Sequence, residues 1–179
     1  GRGIIPENHP LALGLVGLYR TRVGKKIYEE SDLLMTLGSR NEEFQTRGGD
    51  YFPEGAEYVQ VDIDHDEMGR NWLPDHPVVA DIKLFLTSLL SVLRERIENK
   101  PLEKSPRAER IINAKEEFLA EVEEECRDPS RPLKTKRVVH EANIIFGSNT
   151  ILVNENGSQD LWSYYFPYYK VLDIDGCVT

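Results

Sequence analysis

Three stretches of this chain carry residue types whose spacing could do chemistry. The first is Gly38-Ser39-Arg40, directly after the apolar run that ends at Leu37. A glycine there lets a ligand approach the backbone, and an arginine can meet a phosphate with two parallel hydrogen bonds. The same three residues also suit a plain strand-end turn with a solvated arginine. The second is Val61-Asp62-Ile63-Asp64. A carboxylate at a strand end can cap a turn or accept from sugar hydroxyls. No third ligand accompanies Asp62 and Asp64, so a metal is the weaker reading. The third is Asn154-Glu155-Asn156-Gly157-Ser158-Gln159, between an apolar strand and a helix-like stretch. Backbone donors at a helix start, with Gly157, Ser158 and Gln159 beside them, form a ready anion site. An ordinary cap by Asn156 or Ser158 is the other reading.

Other reactive types are not assembled. His9, His65, His76 and His140 are scattered, and Cys126 and Cys177 have no metal-type spacing. Two cysteines in a chain of this size read as free thiols in a reducing compartment, which implies a cytoplasmic location. There is no Gly-x-Ser-x-Gly and no Gly-x-Gly-x-x-Gly. We therefore assign no catalytic residue and no metal ligand from the sequence. The aromatic run Tyr164-Tyr165-Phe166-Pro167-Tyr168-Tyr169 reads as packing.

The elements that must position these stretches follow from periodicity. Leu33–Leu37 is a short apolar strand, and residues 57–64 alternate polar and apolar as a strand does. Residues 11–30 have helical stretches broken by Gly14, Gly17 and Gly24, and residues 65–70 form a polar loop or single turn. Val78-Val79-Ala80 is a third apolar piece. Asp81 then caps a helix over 82–97, with apolar residues at 82, 85, 86, 89, 90, 93 and 97. A charged helix over 107–126 has one apolar stripe, at 111, 112, 118, 119, 122 and 126. A helix over 138–146 ends at Gly147. Strands are expected at 150–153 and 170–174, with a helix from Gly157 to about Tyr165 between them. The order predicts an α/β fold of parallel sheets with crossover helices.

Charge and composition exclude some functions. The 179 residues carry a formal charge of −9, against nucleic acid as a partner, and Lys134-Thr135-Lys136-Arg137 is too short a basic cluster to change that. No apolar run approaches the roughly 18–20 residues of a membrane span. The opening Gly1-Arg2-Gly3-Ile4-Ile5-Pro6 lacks the layout of a secretion signal and reads as a loop.

Taken in order, these pieces resemble one family. Gly3-Ile4-Ile5-Pro6-Glu7-Asn8-His9-Pro10-Leu11, with Leu13-Gly14 and Gly17, resembles a middle-domain loop of the thiamine-diphosphate-dependent acetolactate synthases and 2-keto-acid decarboxylases. Ser31-Asp32-Leu33-Leu34, Leu37-Gly38-Ser39-Arg40, Val61-Asp62-Ile63-Asp64 and Ala80-Asp81-Ile82-Lys83 continue the match. Asn154-Glu155-Asn156-Gly157-Ser158 and Trp162 resemble the start of the domain that grips the cofactor's diphosphate. The chain departs from acetolactate synthases in having Ser158-Gln159 where they usually carry Gln-His, and Val178 where they have a glycine.

The resemblance implies an α/β chain in which residues 1–98 are most of a Rossmann-like, nucleotide-binding-like middle domain with a parallel sheet, incomplete without its first strand and helix, followed by the beginning of a second α/β domain. It makes residues 99–134 a charged helical linker and residues 135–179 the opening of the thiamine-diphosphate domain. It implies thiamine diphosphate and Mg²⁺ as cofactors of the parent enzyme, with FAD possible at the middle domain, and a 2-keto acid as substrate. It also implies a homo-oligomer, dimer or tetramer. Gly157, Ser158 and Gln159 would contact the diphosphate, and Gly38, Arg40 and Asp62 the middle-domain nucleotide. The activating glutamate domain and the Gly-Asp-Gly magnesium motif are not in this sequence, and Asp173-Ile174-Asp175-Gly176 does not replace that motif. The isolated chain is expected to be inactive. A second reading is a stand-alone module that binds FAD, NAD or ADP.

Overall fold

The computed structural model describes residues 2–97, 105–147, 149–153 and 166–178. The chain forms two compact units, one of residues 26–105 and the other of residues 1–25 with 106–179. The division falls inside helix α1 (Arg22–Glu29).

The first unit is an α/β layer on a parallel sheet. Strands β1 (Leu33–Leu37), β2 (Glu57–Asp62) and β3 (His76–Val79) lie in the order β1-β2-β3. Leu33 pairs with Glu57 through to Leu37 with Val61, and Val59 with His76 through to Asp62 with Val79. The central strand is the buried one: Tyr58, Gln60, Val61 and Asp62 are all inside. The two-residue period of a strand puts Tyr58, Gln60 and Asp62 on one face and Val59 and Val61 on the other. One face of the central strand is therefore polar and buried.

The first crossover departs from the helix expected: between β1 and β2 there is only a single helical turn, α2 (Glu43–Thr46). Between β2 and β3 lies a 3₁₀ turn, His65–Glu67, the single turn expected within residues 65–70. The first crossover cannot hold a longer helix. Arg47, Gly48, Gly49 and Gly55 all take positive φ, and Pro53 lies among them. A full helix comes only after β3: α3 (Ile82–Arg96), capped by Asp81, whose Oδ1 accepts from the Leu84 amide at 3.0 Å. The start of the α3 stripe is half-buried at Ile82, Phe85, Leu86 and Leu89, whereas Leu90, Leu93 and Ile97 are exposed.

The second unit is built on helices α4 (Pro106–Cys126) and α5 (Thr135–Phe146). The stripe of α4 buries Ala108, Val122 and Cys126, and Lys115 lies buried in phase with them. Val122, Cys126 and Tyr168 form a core cluster with Phe118 and Val139. Phe166 and Tyr169 are also buried, so the described part of the aromatic run is packing. The loop of residues 2–9 is fastened by a buried ion pair: Arg2 Nε donates to Glu7 Oε1 at 2.7 Å and Nη2 to Oε2 at 2.6 Å. Arg2 Nη2 also donates to the Tyr169 carbonyl at 2.5 Å. Lys115 Nζ donates to the carbonyls of Glu7, at 3.0 Å, and His9, at 2.6 Å, and lies 5.1 Å from the Phe166 ring centre.

Residues 170–174 are not the strand expected. The Val171 amide and carbonyl are both taken by Glu7, through its carboxylate and its own amide, so they have nothing left for a ladder. The strand that pairs in parallel with β4 (Leu152–Val153) is instead β5 (Cys177–Val178), after a turn in which the Gly176 amide donates to the Asp173 carbonyl. Gly3 sits against this turn with φ +84°, and a Cβ there would fall 1.9 Å from the Asp173 carbonyl oxygen. The helix expected from Gly157 to Tyr165 lies outside the described residues. Among the described residues no helix is long and apolar enough to cross a membrane.

Candidate functional site

Parallel strands all end on the same edge, and in open α/β sheets that carboxyl edge is where ligands bind. At this edge a cleft of about 340 Å³ is lined by Gly38 and Arg40 after β1, Asp62, Ile63, Asp64 and Glu67 after β2, and Asp81 and Ile82 after β3. The expected residues Gly38, Arg40 and Asp62 thus come together on one cleft. Gly157, Ser158 and Gln159 lie outside the described residues.

Each wall is set by local chemistry. Gly38 turns the chain out of β1 at φ +60°, its amide bonded to the Val61 carbonyl at 2.8 Å. A Cβ there would come 2.9 Å from Ile82 Cδ1, so the glycine also admits the start of α3. Arg40 projects into solvent, its guanidinium 3.8 Å from Glu42 and 4.0 Å from Glu67. Its carbonyl accepts from Asn71 Nδ2 at 2.6 Å.

Behind this loop stands Tyr58. Its hydroxyl bonds Asn41 Nδ2 and lies 2.9 Å from Thr36 Oγ1. Asn41 itself takes a left-handed conformation, φ 51°. Burial raises the Tyr58 hydroxyl above its ordinary pKa, partly offset by Thr36 and Asn41, so it stays protonated and keeps both bonds.

The three aspartates of the cleft each have an oxygen engaged in the local backbone. Asp62 Oδ1 accepts from the Asp64 amide, Asp64 Oδ1 from Asp66 and Asp81 Oδ1 from Leu84, each at 3.0 Å. Asp62 and Asp64 therefore serve at least as turn caps. Glu67 is held differently. Gln60, buried in β2, donates from Nε2 to the Glu67 carbonyl and accepts at Oε1 from the Gly69 amide, both at 2.9 Å. Arg70 donates to Glu67 Oε1 at 2.7 Å, while the buried Oε2 has no hydrogen-bond partner among the described residues.

Sequence reasoning missed Tyr58, Asn41, Gln60 and Glu67. The readable signal was Gln60, a polar residue on the central strand in phase with Asp62.

Two other clusters deserve weighing. Asp64, His65 and Asp66 could bring three ligand atoms within 4.8 Å, but all three are exposed. A larger cleft, about 680 Å³, lies before β2 and β3 between Phe52, Trp72 and Asp75. Phe52 and Trp72 stack there at 4.5 Å and fill each other's faces. We favour the smaller cleft, because the sheet directs backbone amides and loops to its carboxyl edge. Cys126 is no nucleophile: burial, with Glu123 and Glu141 nearby, raises its thiol above the ordinary pKa.

Residues 1–89 match the family model described as thiamine pyrophosphate enzyme, central domain. The chain belongs to this enzyme family. A probable acetolactate synthase large subunit of Methanocaldococcus jannaschii is 31% identical over 172 residues, covering 93% of this chain and 28% of that protein. One from Methanococcus aeolicus is 32% identical over 177 residues, covering 93% of this chain and 29% of that protein. Glyoxylate carboligase of Escherichia coli O157:H7 is 30% identical over 165 residues, covering 88% of this chain and 26% of that protein. The chain therefore spans under a third of the length of these curated relatives, and it carries the parallel α/β fold expected of a central domain.

Proposed function

We propose that this chain is the central part of a thiamine-diphosphate-dependent enzyme that decarboxylates or joins 2-keto acids, a lyase or transferase of the acetolactate synthase kind. In this reading residues 1–98 form the middle domain, residues 99–134 a helical linker and residues 135–179 the start of the cofactor domain. The observation that carries it is the convergence of Gly38, Arg40 and Asp62 at the carboxyl edge of a parallel sheet, in a chain that matches the central domain.

The cleft suits a nucleotide, with FAD the leading candidate. Gly38 turns bare backbone into the cleft wall, Arg40 is exposed and able to reach a phosphate, and the carboxylates accept from hydroxyls. These residues bind and orient. When bound, thiamine diphosphate supplies the electron sink that decarboxylation of a 2-keto acid requires. Gly157, Ser158 and Gln159 are proposed to hold its diphosphate, and Mg²⁺ would be held by parts of the enzyme beyond these residues. The working enzyme is proposed to be a cytoplasmic homo-oligomer.

The test is release of carbon dioxide from carboxyl-labelled 2-keto acids, pyruvate first, with thiamine diphosphate and Mg²⁺. The intact protein should release it, and the 179-residue chain alone should not. Turnover by the chain alone contradicts the proposed division of labour. An intact protein inert toward a panel of 2-keto acids contradicts the function.

A further inference from the structure

Four carboxylates and one guanidinium line the cleft at the sheet edge, so it favours an uncharged, donor-rich group over a phosphate. The three aspartates have backbone duties, through the bonds of Asp62, Asp64 and Asp81 described above. Glu67 has none for its carboxylate. Its carbonyl is held by Nε2 of Gln60, whose Oε1 holds the Gly69 amide two residues on, and its Oε1 is bonded by Arg70. Oε2 is buried with no hydrogen-bond partner among the described residues. A buried acceptor without a donor is costly, and folded proteins seldom keep one unless something else satisfies it. The last torsion of a glutamate is broad and nearly two-fold, and Arg70 is an exposed side chain that can follow, so a turn of the carboxylate presents Oε2 to the cleft without moving the anchored backbone.

We propose that Glu67 is the specificity residue of this site, accepting a hydrogen bond from a ribose hydroxyl of the bound nucleotide. The ribose sits among the carboxylates, and the phosphates lie outward on the Arg40 side. This rests on the nucleotide reading given under Proposed function and adds which group of the nucleotide the cleft reads and which side chain reads it.

The experiment is titration calorimetry of the intact protein and its Glu67→Gln variant with FAD, ADP and 2′,3′-dideoxy-ADP. The wild type should bind ADP at least about tenfold more tightly than the dideoxy analogue, the loss expected for one hydrogen bond to a charged acceptor. Glu67→Gln should weaken ADP by a similar factor and leave the analogue unchanged. A wild type that binds both analogues equally overturns the inference, as does a variant that weakens both equally. If Glu67→Gln folds poorly, Glu67→Asp, which withdraws the carboxylate by one methylene, is read in the same way. FAD binding without ribose discrimination sinks only the role of Glu67, whereas no binding of any of the three sinks the nucleotide reading as well.

Discussion

Single residues in this protein do conformational and electrostatic work that can be tested one at a time. Gly38 holds φ +60°, where an added Cβ is strained by roughly 1–2 kcal/mol. The Gly38→Ala variant should lose about that much stability in urea unfolding, because its one close neighbour, Ile82 Cδ1, is a flexible tip that can move aside. Asp128 illustrates linkage. Hydrogen bonds from Lys134 and from the Ser130 backbone lower its carboxyl from 3.8 to about 2. A carboxyl whose folded pKa lies below its unfolded one stabilises the fold above the unfolded value. That stability drains as pH falls from about 4 through about 2. Thermal unfolding followed over this range should show a loss that Asp128→Asn lacks. An identical acid profile in the variant would remove Asp128 from the account. Lys115 shows the opposite shift: desolvation, and then Lys170, lower its ammonium below the ordinary range, with Glu7 opposing. Its two carbonyl partners and the Phe166 ring are what hold a charge on an otherwise apolar helix stripe.

At the scale of elements, the central strand β2 is the organiser of the cleft. Its polar face sends Tyr58 to the loop after β1 and Gln60 to the loop after β2, while Asp62 closes the edge. Gln60→Leu keeps similar bulk but leaves the Glu67 carbonyl and Gly69 amide without their buried partner. Such a loss costs about 1–3 kcal/mol. The variant should therefore unfold at lower urea, with faster amide exchange concentrated in residues 65–70; exchange that speeds up evenly across the sheet would mean that Gln60 has no special tie to this turn.

The regular elements were legible because their signals are local. Leu33–Leu37 is a dense apolar run, and the 82–97 stripe follows a well-placed Asp81 cap. The first crossover was not legible, since a glycine-rich connection can be short helix or pure turn until its packing is known. The strand expected at 170–174 failed for a tertiary reason. Glu7, far away in sequence, takes the hydrogen bonds of Val171 that a strand partner would have needed.

For the molecule as a whole, strand order and the shared carboxyl edge follow from parallel pairing. Gly38, Arg40 and Asp62 could be picked from strand-end position alone. Glu67 and Gln60 could not, because their importance lies in which atoms are satisfied. Apolar side chains are exposed in each unit: Leu84 and Leu90 on α3 in one, Ile144, Ile145 and Phe146 on α5 in the other. Faces of this kind usually meet other protein surface.

Amide hydrogen exchange with and without saturating FAD tests whether the carboxyl-edge cleft receives a nucleotide. Binding there slows exchange only in residues 38–42, 62–70 and 81–84. Slowing around Phe52 and Trp72 instead, or none at all under saturating FAD, would contradict it.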